Sequence, residues 1–140
     1  MPRIAQGLGQ WTGQIAASEM AADVGQVVIL TVGSTWSAEY ELDAHISAAR
    51  VAGVPDGAID AIVQRRAPAG LSEPGAVAHR LAVNLLTEHT VSDELCQEAT
   101  TAFGEAGLIA ILCLIGHYQT ISSILSASRS PCRSAQRGGV

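Results

Sequence analysis

A chain of 140 residues is long enough for one domain with a buried core, and 48% of its residues are apolar. Its net charge is −5, and its eight basic residues are all arginines, scattered and without interleaved aromatics, so we expect no nucleic-acid partner. The longest apolar run, 107–116, is far shorter than the roughly 20 residues of a spanning helix, so we expect no membrane partner.

The start of the chain and its cysteines further limit the class of protein. No charged segment followed by an apolar one opens the sequence, so we expect no signal peptide and a cytoplasmic protein. The cysteines at 96, 113 and 132 are odd in number and form no CxxC pair. A disulfide framework and a structural zinc site are therefore both disfavoured.

Every predicted element is a helix. Residues 1–22 are poorly patterned and are expected to form an N-terminal arm or a short helix. The apolar run 24–32 is rich in β-branched residues, but the chain offers no second strand to pair with it, so it is predicted to be a helix. Apolar periodicity and breakers place the other helices at residues 38–52, 57–66, 76–88, 94–103 and 105–127.

Polar residues mark where these helices begin. Ser37 is the predicted N-cap of the helix 38–52, Asp56 that of the next, and Ser92 or Asp93 that of the helix from 94. The Ser-, Arg- and Gly-rich segment 128–140 is predicted to be disordered. The sequence thus predicts an all-α compact bundle of about six helices, with one helical domain over 23–127.

One pair of side chains suggests chemistry. Glu41 and His45 are four residues apart in a predicted helix, which places them on one face. A carboxylate beside an imidazole can fix its tautomer and stabilise the imidazolium, as general acid–base catalysis requires. The same spacing is common on surface helices, so a purely structural pair is the alternative.

The order of several further residues resembles the carboxymuconolactone decarboxylase / alkylhydroperoxidase D superfamily. The similarity covers roughly residues 22–127 and follows this order: Trp36, Tyr40, Glu41, His45, Gly53-Val54-Pro55, Val91-Ser92-Asp93-Glu94-Leu95, Phe103-Gly104 and Gly116-His117-Tyr118.

Peroxidase members of that superfamily use a CxxC followed by a histidine, with a glutamate upstream. Aligned on His45, the two cysteine positions hold Ala38 and Glu41, and the glutamate position holds Gln26. A helix without a thiol has no nucleophile for a peroxide, so a peroxiredoxin-type activity is disfavoured.

The resemblance is therefore to the decarboxylase-like branch that lacks CxxC. It implies a homo-oligomer, a trimer or hexamer, that acts on a small carboxylate or lactone without a metal or organic cofactor. His45 would be the general acid/base and Glu41 its orienting partner. The expected substrate pocket consists of Trp36, Tyr40, Gln26, His117, Tyr118 and, as the nearest cation for an anionic substrate, Arg50.

Two alternatives remain open. The first is membership of a non-catalytic group of the superfamily, in which the pocket binds a ligand or is purely structural. A metal site built from His45, Glu41 and His117 is the weaker alternative, because the sequence has no HExxH-like pairing.

Overall fold

A computed structural model describes residues 2–128, and the regular secondary structure of this part of the chain is entirely α-helical. The prediction of a compact all-α bundle of about six helices is confirmed. The helices are α1 Pro2–Ala16, α2 Ala22–Thr35, α3 Glu39–Val51, α4 Asp56–Val63, α5 Glu73–Glu88 and α6 Asp93–Ser128. Ser128, placed in the tail by the sequence, is the last residue of α6, and the predicted disorder of 129–140 lies outside the described residues.

The centre of the bundle is α2, which is buried on all sides. Its nine buried residues include Val28, Leu30 and Val32, each without exposed surface. One side of α2 packs on α5 and α6, and the other packs on α3 and α4. A helix that is apolar all round belongs in the core, so the run 24–32 is helical as predicted despite its β-branched residues.

Two predicted helix starts are wrong. Ser37 has a φ of 52° and does not cap α3, whose N-cap is Ala38 without a side-chain hydrogen bond. Asp56 is the first residue of α4, and Pro55 is its N-cap. The prediction for Ser92 is confirmed, because its Oγ accepts the Leu95 N–H at 3.2 Å.

Helices α4 and α5 also have bounds other than predicted. Helix α5 begins three residues early, because Ser72 Oγ accepts the Gly75 N–H at 3.1 Å and so caps it. Helix α4 ends at Val63 instead of 66, and Arg65 just beyond it adopts a φ of 57°.

Helix α6 bends where the sequence predicts a break. Gly104 has φ 69° and ψ 174°, a conformation open essentially to glycine alone, and divides α6 into two helical parts. Of the helices described, α6 alone is long and apolar enough to cross a membrane by length and composition. Only 22% of its most apolar window is buried, and Ile109, Leu112 and Ile124 are exposed.

Helix α1 is longer and better patterned than the sequence analysis predicted. Ile4, Leu8, Trp11 and Ile15 recur at helical spacing along one face. Helix α1 packs on α6, and Ile15 touches the main core. This contact places α1 over one end of the site described next.

Candidate functional site

His45 is held from two sides by residues of other helices. Its Nδ1 lies 3.0 Å from Oε1 of Gln26 on α2, and its Nε2 lies 3.4 Å from the hydroxyl of Tyr118 on α6. An amide oxygen only accepts, so Nδ1 carries the proton and Nε2 presents a lone pair. Burial lowers the pKa of His45, which favours this neutral form. The ring is thus arranged as a base.

Glu41 is not the orienting partner of His45. Its Oε2 accepts a hydrogen bond of 2.8 Å from Ser122, and among the described residues no hydrogen bond joins it to the imidazole. The side chain is 5% exposed, and Oε1 is buried with no partner in the described chain. Burial raises the pKa of Glu41, and the Ser122 bond opposes that rise. Gln26 therefore performs the orienting role predicted for Glu41.

Two side-chain bridges connect α3 to the last part of α6. Glu41 pairs with Ser122 and His45 with Tyr118, so a step of four residues forward on α3 matches a step of four back on α6. The helices run in opposite directions here, with bridges one turn, about 6 Å, apart. The rings of His45 and Tyr118 meet edge to face, with centroids 5.4 Å apart.

His117, next to Tyr118, faces α1 instead of α3. Its Nε2 lies 3.2 Å from Thr12 Oγ1, and its ring stands edge-on to Trp11 and to Tyr118. Thr12 donates its own proton to the Leu8 carbonyl, so it accepts from His117. Nδ1 of His117 therefore carries a lone pair, and it is buried with no partner in the described chain. Burial lowers the pKa of His117.

These groups line one cavity of about 500 Å³ between α1, α3 and α6. Its polar wall comprises Thr12, Tyr40, Glu41, His45, His117 and Tyr118, and the remaining wall is apolar. A smaller cavity of about 310 Å³ lies on the other side of His117 and includes Gln26. Burial, and secondly the charge of Glu41, raise the pKa of Tyr118, so its hydroxyl keeps its proton. The predicted residues Gln26, Tyr40, Glu41, His45, His117 and Tyr118 are thus brought together.

Two predicted pocket residues lie elsewhere. Trp36 is 39% exposed at the end of α2 and lines neither cavity. Arg50 points to the surface, where its Nε lies 2.7 Å from Asp56. The cavity wall given by residues 2–128 contains no arginine, and the sequence has no lysine, so the expected cationic clamp is absent from this part of the chain.

The described part of the chain gives less support to metal or thiol chemistry. No group of three or more His, Cys, Asp or Glu side chains within it is placed to hold a metal ion. Cys96 is exposed on α6, and neither it nor Cys113 lines the His45 cavity. A larger cavity of about 580 Å³, near the α1–α2 turn and the bend of α6, has Glu19 as its one ionisable lining residue.

Sequence reasoning gave no role in the site to Trp11, Thr12 and Ser122. Helical spacing of apolar residues from Ile4 to Ile15 was the available signal for α1. Ser122 lies four residues after Tyr118, the spacing of Glu41 and His45, but only the fold brings the two pairs face to face.

Comparisons of the chain with protein-family models, with curated proteins and with solved structures gave no match in any of the three.

Proposed function

We propose that this chain is a cofactor-independent acid–base enzyme, a carboxymuconolactone decarboxylase-like lyase or lactone-processing enzyme with a small-molecule substrate. The observation that supports this function best is the state of His45. Its Nδ1–H is fixed by Gln26, while Nε2 lies 3.4 Å from the hydroxyl of Tyr118, and both His45 and Tyr118 line the cavity. A neutral imidazole held in one tautomer is a competent general base near neutral pH.

In the proposed reaction His45 Nε2 takes a proton from the carbon beside a lactone carbonyl, or from a water molecule that attacks that carbonyl. In the first case the C–H electron pair moves into the carbonyl to give a conjugated enolate, and the imidazolium returns the proton to another carbon of that enolate, which shifts the double bond. In the second case the water oxygen bonds to the carbonyl carbon, the ring C–O bond breaks as the carbonyl forms again, and the imidazolium protonates the departing ring oxygen. Tyr118 keeps its proton, which its hydroxyl donates to Nε2 before the substrate binds. When the hydroxyl turns to the oxygen on which negative charge grows, it stabilises that charge and leaves the Nε2 lone pair free to take the proton. Each step balances with the substrate and water alone.

Between the two reaction types, the cavity favours chemistry on the lactone ring over decarboxylation of a bound carboxylate. Arg50, the cation expected for a carboxylate, is engaged by Asp56 at the surface. An anion in a mostly apolar cavity without a cationic partner carries a large desolvation penalty. Neither proton transfer at the lactone ring nor opening of that ring requires a cationic partner.

The test is turnover of γ-lactones and of their carboxylated analogues, followed as ring opening, double-bond shift and CO₂ release. His45→Gln is the test variant, and His79→Gln, a partly buried histidine on α5 outside the cavity, is its matched control. Loss of about 10²-fold or more in kcat in His45→Gln alone supports the proposal, because this is the usual contribution of a general base. Equal turnover by both variants rejects it.

A ligand-binding protein without turnover is the second candidate. The observation that favours it is that both Glu41 Oε1 and His117 Nδ1 are buried without a partner in the described chain. Binding of one of these lactones or carboxylated analogues, with no product after prolonged incubation, would support this candidate.

The assembly and location in this proposal are a cytoplasmic homo-oligomer, a trimer or hexamer. The exposed apolar side chains of Ile109 and Leu112 on α6 support self-association.

A further inference from the structure

The two polar side-chain atoms that are buried without a partner in the described chain are carried by residues that line the same cavity. They are Oε1 of Glu41 and Nδ1 of His117, on side chains that are 5% and 4% exposed, and both residues line the cavity of about 500 Å³. Buried polar atoms in native proteins are nearly always hydrogen-bonded to protein, water or ligand. Their coincidence at one cavity points to a bound molecule.

We propose that His117 is a ligand-binding residue of this cavity, and that its Nδ1 accepts a hydrogen bond from an uncharged O–H or N–H group of the ligand. The proposal rests on the assignment of this cavity as the functional site in the proposed function. It narrows the substrate class to neutral molecules with a hydrogen-bond donor, such as a hydroxylated ring or a hydroxylactone.

The hydrogen bonds around His117 determine what its free nitrogen can bind. Thr12 donates to the Leu8 carbonyl at 2.8 Å, so its oxygen accepts the Nε2–H of His117 at 3.2 Å. Nδ1 is then an acceptor and can be satisfied only by a donor. A keto or ester oxygen, which has no proton, cannot fill this role.

The charges around the cavity select a neutral ligand. The described wall has no arginine, and its one acidic residue is the carboxyl of Glu41. A carboxylate ligand would face this carboxyl with no cation to compensate. An ammonium ligand would be desolvated against apolar side chains, and Ser122 already occupies one oxygen of the Glu41 carboxyl, its one acidic partner in the described wall.

Four cyclohexane derivatives of similar shape test which class of ligand the cavity binds. Cyclohexanol is a neutral donor, cyclohexanone a neutral acceptor only, cyclohexanecarboxylate an anion and cyclohexylammonium a cation. Binding to the full chain is measured by calorimetry and by the ¹⁵N resonances of labelled histidine. We expect cyclohexanol to bind most tightly, about threefold to tenfold tighter than cyclohexanone, the range of one neutral hydrogen bond. The Nδ1 resonance of His117 should shift with cyclohexanol alone.

Two variants test whether His117 causes the preference for cyclohexanol. His117→Leu should abolish the preference for cyclohexanol over cyclohexanone and leave cyclohexanone binding within about twofold, since an apolar replacement retains the packing. Thr12→Val keeps the imidazole but removes the acceptor of its Nε2–H, so the preference should fall while the fold is retained. Far-ultraviolet circular dichroism checks the fold of both.

The remaining outcomes reject the proposal. Tighter binding of the carboxylate or the ammonium, equal binding of cyclohexanol and cyclohexanone, a preference unchanged in His117→Leu, or no binding of any of the four would each overturn it. The proposed function fails separately: cyclohexanol binding through His117 with no lactone turnover rejects the enzyme and retains this ligand class. Turnover that depends on His45 but is unchanged in His117→Leu supports the enzyme and rejects this ligand class.

Discussion

Gln26 Oε1 and His45 Nδ1 lie 3.0 Å apart, so a residue 19 positions earlier in the chain fixes the proton on the imidazole. We expect Gln26→Glu to raise the pKa of His45, because a carboxylate facing Nδ1–H stabilises the imidazolium. The measurement is an NMR pH titration of the His45 ring. Gln26→Leu is the control, and it should not raise the pKa. An unchanged titration in Gln26→Glu would mean that the two side chains do not meet in solution.

Glu41→Gln should stabilise the protein at neutral pH. Burial raises the folded-state pKa of Glu41 above its unfolded value of about 4.5, so ionisation disfavours the fold as the pH rises through the folded-state pKa. We expect a gain of about 1 kcal/mol in the free energy of unfolding at pH 8, the scale of one buried polar group with incomplete partners. At pH 4 the carboxyl is protonated in the folded state and largely so in the unfolded state, and the gain should nearly vanish.

The measurement for this substitution is urea unfolding at both pH values. Glu39→Gln, an exposed position on the same helix, is its control and should change the free energy by less than about 0.5 kcal/mol at either pH. A gain for Glu41→Gln that is equal at pH 4 and pH 8 would show that its charge is not the cause.

Gly104→Ala should destabilise the fold by about 1–3 kcal/mol, because φ 69° with ψ 174° is strained for any residue with a Cβ. No atom lies within 4 Å of the position of that Cβ, so the penalty is conformational and not a clash. Gly57→Ala, also in open space but helical, should instead stabilise by about 0.5 kcal/mol. The two variants are compared by thermal unfolding. Equal changes in their unfolding temperatures would contradict the strained backbone conformation at Gly104.

The exposed apolar face of α6 makes a prediction about assembly. Ile109 and Leu112 are 55% and 40% exposed and lie three residues apart on one helical face. If copies associate through this face, the double variant Ile109→Asp, Leu112→Asp should be monomeric by light scattering when the wild type is not. Val51→Asp, at a position 90% exposed on α3, is the matched control and should keep the wild-type size. A double variant of wild-type size would place the contact elsewhere.

Trp11→Ala should loosen α1 without unfolding the bundle. The Trp11 ring stands edge-on to His117 at 5.6 Å, an arrangement that contributes about 0.5–1.5 kcal/mol beyond its buried area. Amide hydrogen exchange in α1 should therefore accelerate about twofold to tenfold, with the other helices unchanged. Trp36→Ala, equally exposed at 39%, should leave exchange in α1 as it is. Exchange that rises everywhere would contradict a local role.

The helices could be predicted from the sequence because their signals are local. The apolar run 24–32 has no strand partner, and Gly104 interrupts the last helix where the backbone bends. Ser37 failed as a cap because the chain turns through a left-handed conformation there, and no propensity scale at that position indicates it.

The site was harder to predict because its geometry depends on residues that only the fold assembles. The spacing of Glu41 and His45 correctly placed both on one side of α3, but it could not show that Ser122 takes the carboxylate and Gln26 the imidazole. Arg50 was chosen by proximity in sequence, whereas Asp56, six residues away, binds it at the surface.

The two bridges between α3 and α6 also limit how the site can be redesigned. A slide of one turn toward the beginning of α6 would set His45 against Leu114, and the polar partner of its Nε2 would be lost. The side chains that hold the reacting groups therefore also determine the alignment of the helices that carry them. A substitution at Glu41 or Tyr118 that removes its hydrogen bond would loosen that alignment, so new specificities are more accessible through Tyr40 and the residues of α1.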